Sequence, residues 1–216
     1  MVFLGKNRRA KQLANSAGIH GFHFEGDIDT TPKEKFAPLR LFTFRIPRIM
    51  KNVLKHSDHQ IWIFDYEYSI YRDQDVGQTV AMIEMRKTRW PPTVIEARKK
   101  ERFTVAAMRV LTQKIANWQL DYKEVDLSIH PEFAERYRAF CKNNPENFSR
   151  LLTPQLLDFL VQNPGWNIET MDQWLLLYRH GQYIKPKEFN IFFNSILAIY
   201  KMIENDFSSA SFGPLR

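Results

Sequence analysis

Residues 61–68 read IWIFDYEY, and this run decides the fold class. It is rich in aromatic and β-branched residues, which is typical of a strand in a pleated sheet. Alternation along a strand puts successive side chains on opposite faces. One face then carries Trp62, Phe64, Tyr66 and Tyr68, and the other carries Ile61, Ile63, Asp65 and Glu67. We expect the aromatic face to be buried and the two acidic residues to face solvent.

The chain after this run continues the pattern of strands. The polar residues 71–77 predict a turn, and residues 78–85 predict the second strand of a hairpin. Residues 93–97 predict a third strand. Apolar residues at spacings of three and four over residues 105–117 predict an amphipathic helix.

The chain before the run is less regular. Residues 8–17 have a helix-forming composition and end at Gly18, which predicts a short first helix. Turn-forming residues are frequent in residues 21–39, so we expect an irregular connection there, in which extended pieces are broken by turns.

The second half predicts six elements in the order ββαββα. They fall at residues 125–129, 137–142, 154–162, 166–171, 173–179 and 186–203. The sequence therefore predicts an α+β protein of antiparallel hairpins packed with helices. Its parts are a basic N-terminal half (1–120), a ββαββα half integrated with the first (121–206) and a flexible tail (207–216).

Composition limits the class of protein. With 216 residues and 44% hydrophobic residues the chain is long and apolar enough to fold unaided. Cys141 is its single cysteine, which excludes an intrachain disulfide and favours a reducing compartment. Residues 1–21 lack the apolar core of a signal peptide, and residues 189–203 are too short and too polar to span a bilayer. We expect a cytoplasmic protein without a transmembrane segment.

The net positive charge of the protein lies in the first half of the chain. Residues 86–102 hold seven basic and two acidic side chains, and residues 103–216 hold twelve of each. The basic block could attract an anionic partner, either lipid headgroups or nucleic acid, although such runs commonly serve only solubility. The residues of this candidate site are Arg86, Lys87, Arg89, Trp90, Arg98, Lys99, Lys100 and Arg102.

Several short motifs resemble a bacterial domain family that has no assigned activity. They are FDYEY at 64–68, QTV at 78–80, VDLSIHPEF at 125–133, LLTPQLLDFL at 151–160, GWNIE at 165–169 and LLLYRHG at 175–181. The resemblance implies a bacterial α+β domain. Many members of that family carry transmembrane helices ahead of the domain, which would place it at the cytoplasmic face of a membrane. This sequence departs from the family there, so we do not carry over the membrane anchor. The resemblance supplies no catalytic residues.

Residues with metal-binding or acid-base chemistry appear without the partners that such chemistry needs. The pairs His20 with His23 and His56 with His59 have a spacing that zinc sites use, but neither lies in a predicted helix. Two carboxylate pairs, Asp27 with Asp29 and Asp65 with Glu67, could hold a cation but are more typical of a solvated strand face. Cys141 has no neighbour that would activate it. We therefore predict no catalytic residue, cofactor or metal.

Three classes of function remain open from sequence. We favour a non-catalytic interaction or scaffold domain, peripheral to the cytoplasmic face of a bacterial membrane, that binds a protein or anionic lipid through the basic block and the first helix. The first alternative is a nucleic-acid-binding protein that uses the basic blocks. The second is an enzyme of unrecognised type, in which Asp65, Glu67 and a histidine would converge.

Overall fold

The computed structural model describes residues 3–28, 39–42, 48–71, 74–85, 90–98, 122–142, 148 and 152–209. The helices of this part are α1 (Phe3–Gly18), α2 (Pro131–Arg136), α3 (Pro154–Gln162) and α4 (Phe189–Ser209), with 3-10 turns at Arg40–Phe42 and Pro186–Glu188. The strands are β1 (Phe22–Ile28), β2 (Arg48–His56), β3 (Ile61–Tyr71), β4 (Gln74–Glu84), β5 (Trp90–Ala97), β6 (Lys123–Glu124), β7 (Tyr137–Cys141), β8 (Trp166–Asp172) and β9 (Trp174–Arg179).

The described strands form one antiparallel sheet in the order β1-β2-β3-β4-β9-β8-β5-β7-β6. Strands from the two halves of the sequence join where β4 pairs with β9, with Val80 opposite Tyr178. The predicted α+β class is confirmed, with a larger share of strand than the sequence indicated.

Both faces of the sheet are covered in its centre. Residues of α1, α3 and α4 pack on one face and build the larger core. Leu39, Leu41 and Phe42 pack on the opposite face over a second, smaller core. Ile63 and Phe64, neighbours on β3 that point to opposite faces, are each only 1% exposed. The prediction of one solvated face on β3 is therefore wrong, because β3 is an interior strand of a sheet covered on both sides.

The first half contains two strands that the sequence analysis did not predict. The connection expected over residues 21–39 begins with a more regular element than predicted, because Phe22–Ile28 forms β1 and pairs with β2. Strand β2 has a polar sequence and is interrupted at Asn52, whose φ is 52°. The hairpin of β3 and β4 is longer than predicted, so that the expected turn at residues 71–77 is largely strand.

The second half follows the prediction except at its start. Thr153 caps α3 by accepting a hydrogen bond from the Leu156 backbone N–H at 3.4 Å, and β8 and β9 form the expected hairpin. The predicted strand at 125–129 is wrong, because the strand in this region, β6, ends at Glu124. Helix α2 lies between β6 and β7, so the ββαββα order is not observed. The predicted helix at 105–117 and the tail residues 210–216 lie outside the described residues.

Candidate functional site: the surface of the first helix

The predicted basic block lies mostly outside the described residues. This applies to Arg86, Lys87, Arg89, Lys99, Lys100 and Arg102, and to the side chain of Trp90, whose backbone begins β5. Arg98 is described and exposed. Its Nε donates hydrogen bonds to the carbonyl oxygens of Ala134 at 2.8 Å and Tyr137 at 3.2 Å, at the end of α2. Arg98 thus holds the last turn of a helix, and the anionic-partner role of the block stays a prediction.

A shallow groove of about 430 Å³ opens beside Arg98. Its other walls are the residues that follow β6 and one residue of α2: Glu124, Val125, Asp126, Leu127, Ser128 and Ala134. The Arg138 guanidinium donates two hydrogen bonds to Glu124, at 2.8 and 2.9 Å, and lowers the pKa of that carboxyl. The groove therefore mixes both signs of charge and does not form an anion site.

Helix α1 separates its cationic residues onto two faces. Arg9, Leu13 and Ala17 recur every four residues and face the sheet, where Leu13 and Ala17 are buried. Arg8 and Lys11 lie on the outer face and are exposed. The helix contains no acidic residue. Its outer face therefore carries positive charge at Arg8 and Lys11 and is uncharged from there to the end of the helix.

The inward-facing Arg9 is fixed by a network of hydrogen bonds on the sheet. Its Nε and NH2 atoms donate to the two oxygens of Asp65, at 2.8 and 2.9 Å, and its NH1 atom donates to the carbonyl oxygen of Ile184 at 2.9 Å. Thr79 Oγ1 donates to Asp65 at 2.7 Å, and Asn52 Nδ2 donates to it at 2.8 Å. We call these five residues the Arg9 network. It joins the motifs FDY and QTV to the first helix.

A second layer of polar contacts adjoins the Arg9 network. The Arg9 guanidinium lies 5.1 Å from the ring centroid of Tyr183, and the Tyr183 hydroxyl donates to Glu67 at 2.9 Å. Glu67 also pairs with Lys51. Partial burial, followed by the hydrogen bond to the Glu67 carboxylate, raises the pKa of Tyr183. The Tyr183 ring covers Gly77, where a Cβ atom would lie 1.8 Å from the tyrosine oxygen.

These contacts bring further lysines beside α1. The 3-10 turn Pro186–Glu188 packs against α1, directly after the Ile184 carbonyl that Arg9 binds. Lys185 and Lys187 are exposed there, and Lys185 lies 3.5 Å from Glu188. We define the exposed side chains Arg8, Lys11, Lys185 and Lys187 as the α1 surface. In the described part of the chain, Arg8, Lys11 and Lys187 have no carboxylate partner.

The predicted carboxylate pairs have separate structural roles. Asp27 accepts a hydrogen bond from the Asn52 backbone N–H at 2.9 Å, while Asp29 lies outside the described residues. Asp65 and Glu67 share a face, as predicted, but Asp65 is 2% exposed and not on a wet surface. Their pairing with basic residues is confirmed.

A buried acid on the opposite face of the sheet was missed by the sequence analysis. Glu169 accepts hydrogen bonds from the Tyr178 hydroxyl at 2.6 Å and from the Leu41 backbone N–H at 3.0 Å. Burial raises the pKa of Glu169. Next to it, Arg40 pairs with Glu96. The available signal in the sequence was that Glu169 directly follows the uncharged run GWNI (165–168).

The histidine pairs do not form a metal centre. In the ranges that the structure describes, no three His, Cys, Asp or Glu side chains are arranged to hold a metal ion. His56 and His59 contact each other with ring centroids 4.7 Å apart, and His23 contacts Ser57. Cys141 is buried in the larger core.

Comparisons with known proteins identify a fold. Neither a protein-family model nor a curated protein matches the sequence. The chain is similar to the crystal structure of the mycobacterial trehalose monomycolate transport factor A, TtfA, with a TM-score of 0.58. The match covers 92% of this chain and 94% of the TtfA chain at 15% sequence identity. Among the helices described, none is both long and apolar enough to cross a membrane. The structural match shows that this chain and TtfA share a fold over nearly the whole length of both.

Proposed function

We propose that this protein is a non-catalytic interaction domain that serves a transport assembly at the cytoplasmic face of a bacterial membrane. The α1 surface carries this proposal. It presents four exposed cations with one adjacent carboxylate. Arg8 and Lys11 lie on α1, which the partly buried Arg9–Asp65 ion pair fixes to the sheet, and Lys185 and Lys187 lie in the segment that packs against α1. The domain would lie on the membrane through this surface.

Anionic lipid headgroups are the ligands that such a surface fits. Each Lys or Arg near an anionic bilayer contributes about 1 kcal/mol of binding free energy. Four such residues give about 4 kcal/mol before the cost of association, enough for reversible binding. Because Arg9 already holds α1 in place, little conformational entropy is lost on docking.

The likeness to TtfA supports the transport part of the proposal. That protein is described as a trehalose monomycolate transport factor, and the shared fold extends over nearly all of both chains. In that role the domain would present one surface to the membrane and another to a partner. In the described residues, the potential acid-base groups Asp65, Glu67 and Glu169 are bonded to internal side chains, with no histidine among their partners.

Vesicle flotation tests the membrane contact. The protein should float with phosphatidylcholine vesicles that contain about 30% phosphatidylglycerol and not with pure phosphatidylcholine. Replacing Arg8 and Lys11 together by glutamine removes about 2 kcal/mol, so binding should weaken about 30-fold. The matched control replaces Lys123 and Lys201, which are exposed on β6 and α4, by glutamine. Equal weakening in both variants would contradict a role of the α1 surface.

Affinity capture from the host at two salt concentrations separates the alternatives. Co-purification of membrane transport proteins that persists at moderate salt supports the proposed assembly. Recovery of nucleic acid with a steep loss at higher salt would support the nucleic-acid alternative instead. That alternative depends on the basic block, of which only Arg98 is fully described.

A further inference from the structure

Four histidines gather at one corner of the fold, where α1, β1 and β2 meet α4. His20 lies in the turn after α1, His23 in β1, His56 at the end of β2 and His59 in the bend that follows. We call them the histidine corner. The turn is tied to the bend by Ser57, whose Oγ donates to the Gly21 carbonyl oxygen at 2.7 Å.

The geometry at His56 requires a neutral ring. Its Nδ1 atom accepts hydrogen bonds from the backbone N–H groups of Asp58 at 3.1 Å and His59 at 3.2 Å. A nitrogen that accepts hydrogen bonds carries no proton. The ring is 9% exposed and packs against the edge of Phe22, with centroids 4.9 Å apart. A proton on Nδ1 would replace two hydrogen bonds by two repulsive contacts.

Ring contacts connect the histidine corner to the beginning of α4. His20 lies 5.8 Å from Phe189 and 5.6 Å from Phe193, measured between centroids. Phe22 contacts the same two rings at 5.5 and 5.1 Å. The Nε2 atom of His20 is buried and has no hydrogen-bond partner among the residues that the structure describes. The α1–β1 turn is thus held to α4 by contacts between aromatic rings.

The groups that act on the charge of His56 are the side chains of His59, His23 and Asp58 and a hydrogen bond to the backbone of His20. The imidazoles of His59 and His23 lower the pKa of His56, whereas Asp58 and the bond to the His20 backbone raise it. The segment of α4 that packs here contributes only the uncharged rings Phe189 and Phe193. Burial, and then His59, lower the pKa of His56 from its ordinary value of 6.5.

The direction of the pH effect follows from that lowered pKa. A histidine that is harder to protonate in the folded state stabilises the fold at pH values above its ordinary pKa. This contribution to stability is lost as the pH falls from about 6.5, the ordinary pKa of histidine, through the lower pKa that His56 has in the folded state.

We propose that the histidine corner is an acid-sensitive joint, which on protonation releases the α1–β1 turn from the first turns of α4 while the centre of the sheet stays folded. Release would uncover the rings of Phe22, Phe189 and Phe193 beside Ile19, which is already 81% exposed. The inference uses a different corner from the α1 surface and does not depend on membrane binding.

Amide hydrogen exchange tests this joint when it is measured for each residue at pH 7.5 and 5.5. The exchange times are scaled for the intrinsic exchange rate at each pH. In the wild-type chain, protection of Asp58, His59 and Phe193 should fall at least about 10-fold at the lower pH, with β8 and β9 unchanged. His56→Asn places an amide oxygen near the Nδ1 position and cannot titrate, so it should abolish this loss. His130→Asn, at the start of α2, is the control and should behave as wild type.

His59→Asn provides a second variant with the hydrogen-bond acceptor of His56 intact. It removes the neighbouring imidazole and should reduce the acid-induced loss without abolishing it. An undiminished loss in both His56→Asn and His59→Asn would overturn the proposal. A loss of protection spread evenly over β8 and β9 would overturn it as well, since that result indicates global unfolding.

Discussion

Arg9 on α1 donates hydrogen bonds to both carboxylate oxygens of Asp65 on β3, at 2.8 and 2.9 Å, across 56 residues of sequence. The Asp65 side chain is 3% exposed and the Arg9 side chain 27% exposed. This ion pair is the polar link between the first helix and the sheet. It also sets the orientation of α1, because the same guanidinium binds the Ile184 carbonyl.

Replacing Arg9 by methionine should lower the free energy of unfolding by about 2–3 kcal/mol. The substitution leaves Asp65 buried without its counter-ion, and breaking buried pairs in this way costs about 3–5 kcal/mol when both partners are fully buried. The partial exposure of Arg9 reduces that figure. Urea denaturation at neutral pH measures the change.

Arg8→Met is the matched control for this prediction. Arg8 is the adjacent residue in the same helix, but it is exposed and points away from the sheet. Its substitution should change stability by less than about 0.5 kcal/mol. Similar losses for Arg8→Met and Arg9→Met would show that the helix and not the ion pair determines the effect.

The close contact of Gly77 and Tyr183 predicts that Gly77→Ala lowers stability when Tyr183 is present and raises it when Tyr183 is replaced by alanine. In the wild-type chain, Gly77→Ala should destabilise by about 1 kcal/mol, because the new methyl group displaces the Tyr183 side chain, whose hydroxyl oxygen would lie 1.8 Å from it. In a Tyr183→Ala chain the same substitution should stabilise by about 0.5 kcal/mol, since alanine is preferred to glycine inside a strand. Thermal unfolding of the four proteins tests this, and additive effects would contradict it.

The buried hydroxyl of Tyr137 joins two elements of the second half. It donates to the Leu160 carbonyl oxygen of α3 and accepts from the Gly165 backbone N–H, both at 3.1 Å. Tyr137→Phe should cost about 1–3 kcal/mol because it leaves both groups unpaired. Urea denaturation gives the value. The same substitution at the partly exposed Tyr183 should cost less than half as much, and the reverse order would refute the assignment.

Local patterns in the sequence predicted those elements whose signal lies within the element itself. Thr153 and Pro154 mark the start of α3 regardless of its surroundings, and Asp172 marks the turn between β8 and β9. Strands β1 and β2 have no such signal. Their polar sequences form strands because each pairs with a neighbour, and pairing cannot be read from one segment.

The candidate site was predictable only in part, because it depends on contacts between distant segments that no single segment reveals. The basic character of the first helix could be read from composition, but the inward position of Arg9 is seen only in the structure. Its partner Asp65 could not be identified, because the sequence places that residue on a strand without saying what covers it. The contacts that Arg9 itself makes in this network span 56 to 175 residues of sequence.

Glu169 should make stability depend on pH in the direction opposite to His56. Burial raises the pKa of this carboxyl, so its contribution to stability is fully present below its ordinary pKa of 4.5 and is lost as the pH rises through the folded value. The loss should reach about 1.4 kcal/mol per pH unit for one proton. Glu169→Gln imitates the protonated acid and should remove this slope.

Urea denaturation of the wild-type and Glu169→Gln proteins between pH 5 and 8 measures the difference directly, since all other titrations are common to both. The variant should gain on the wild type as the pH rises, while Glu188→Gln, at an exposed site, should follow the wild type. Parallel curves for wild type and Glu169→Gln would mean that the Tyr178 hydroxyl and the Leu41 N–H stabilise the charged carboxylate enough to offset its burial.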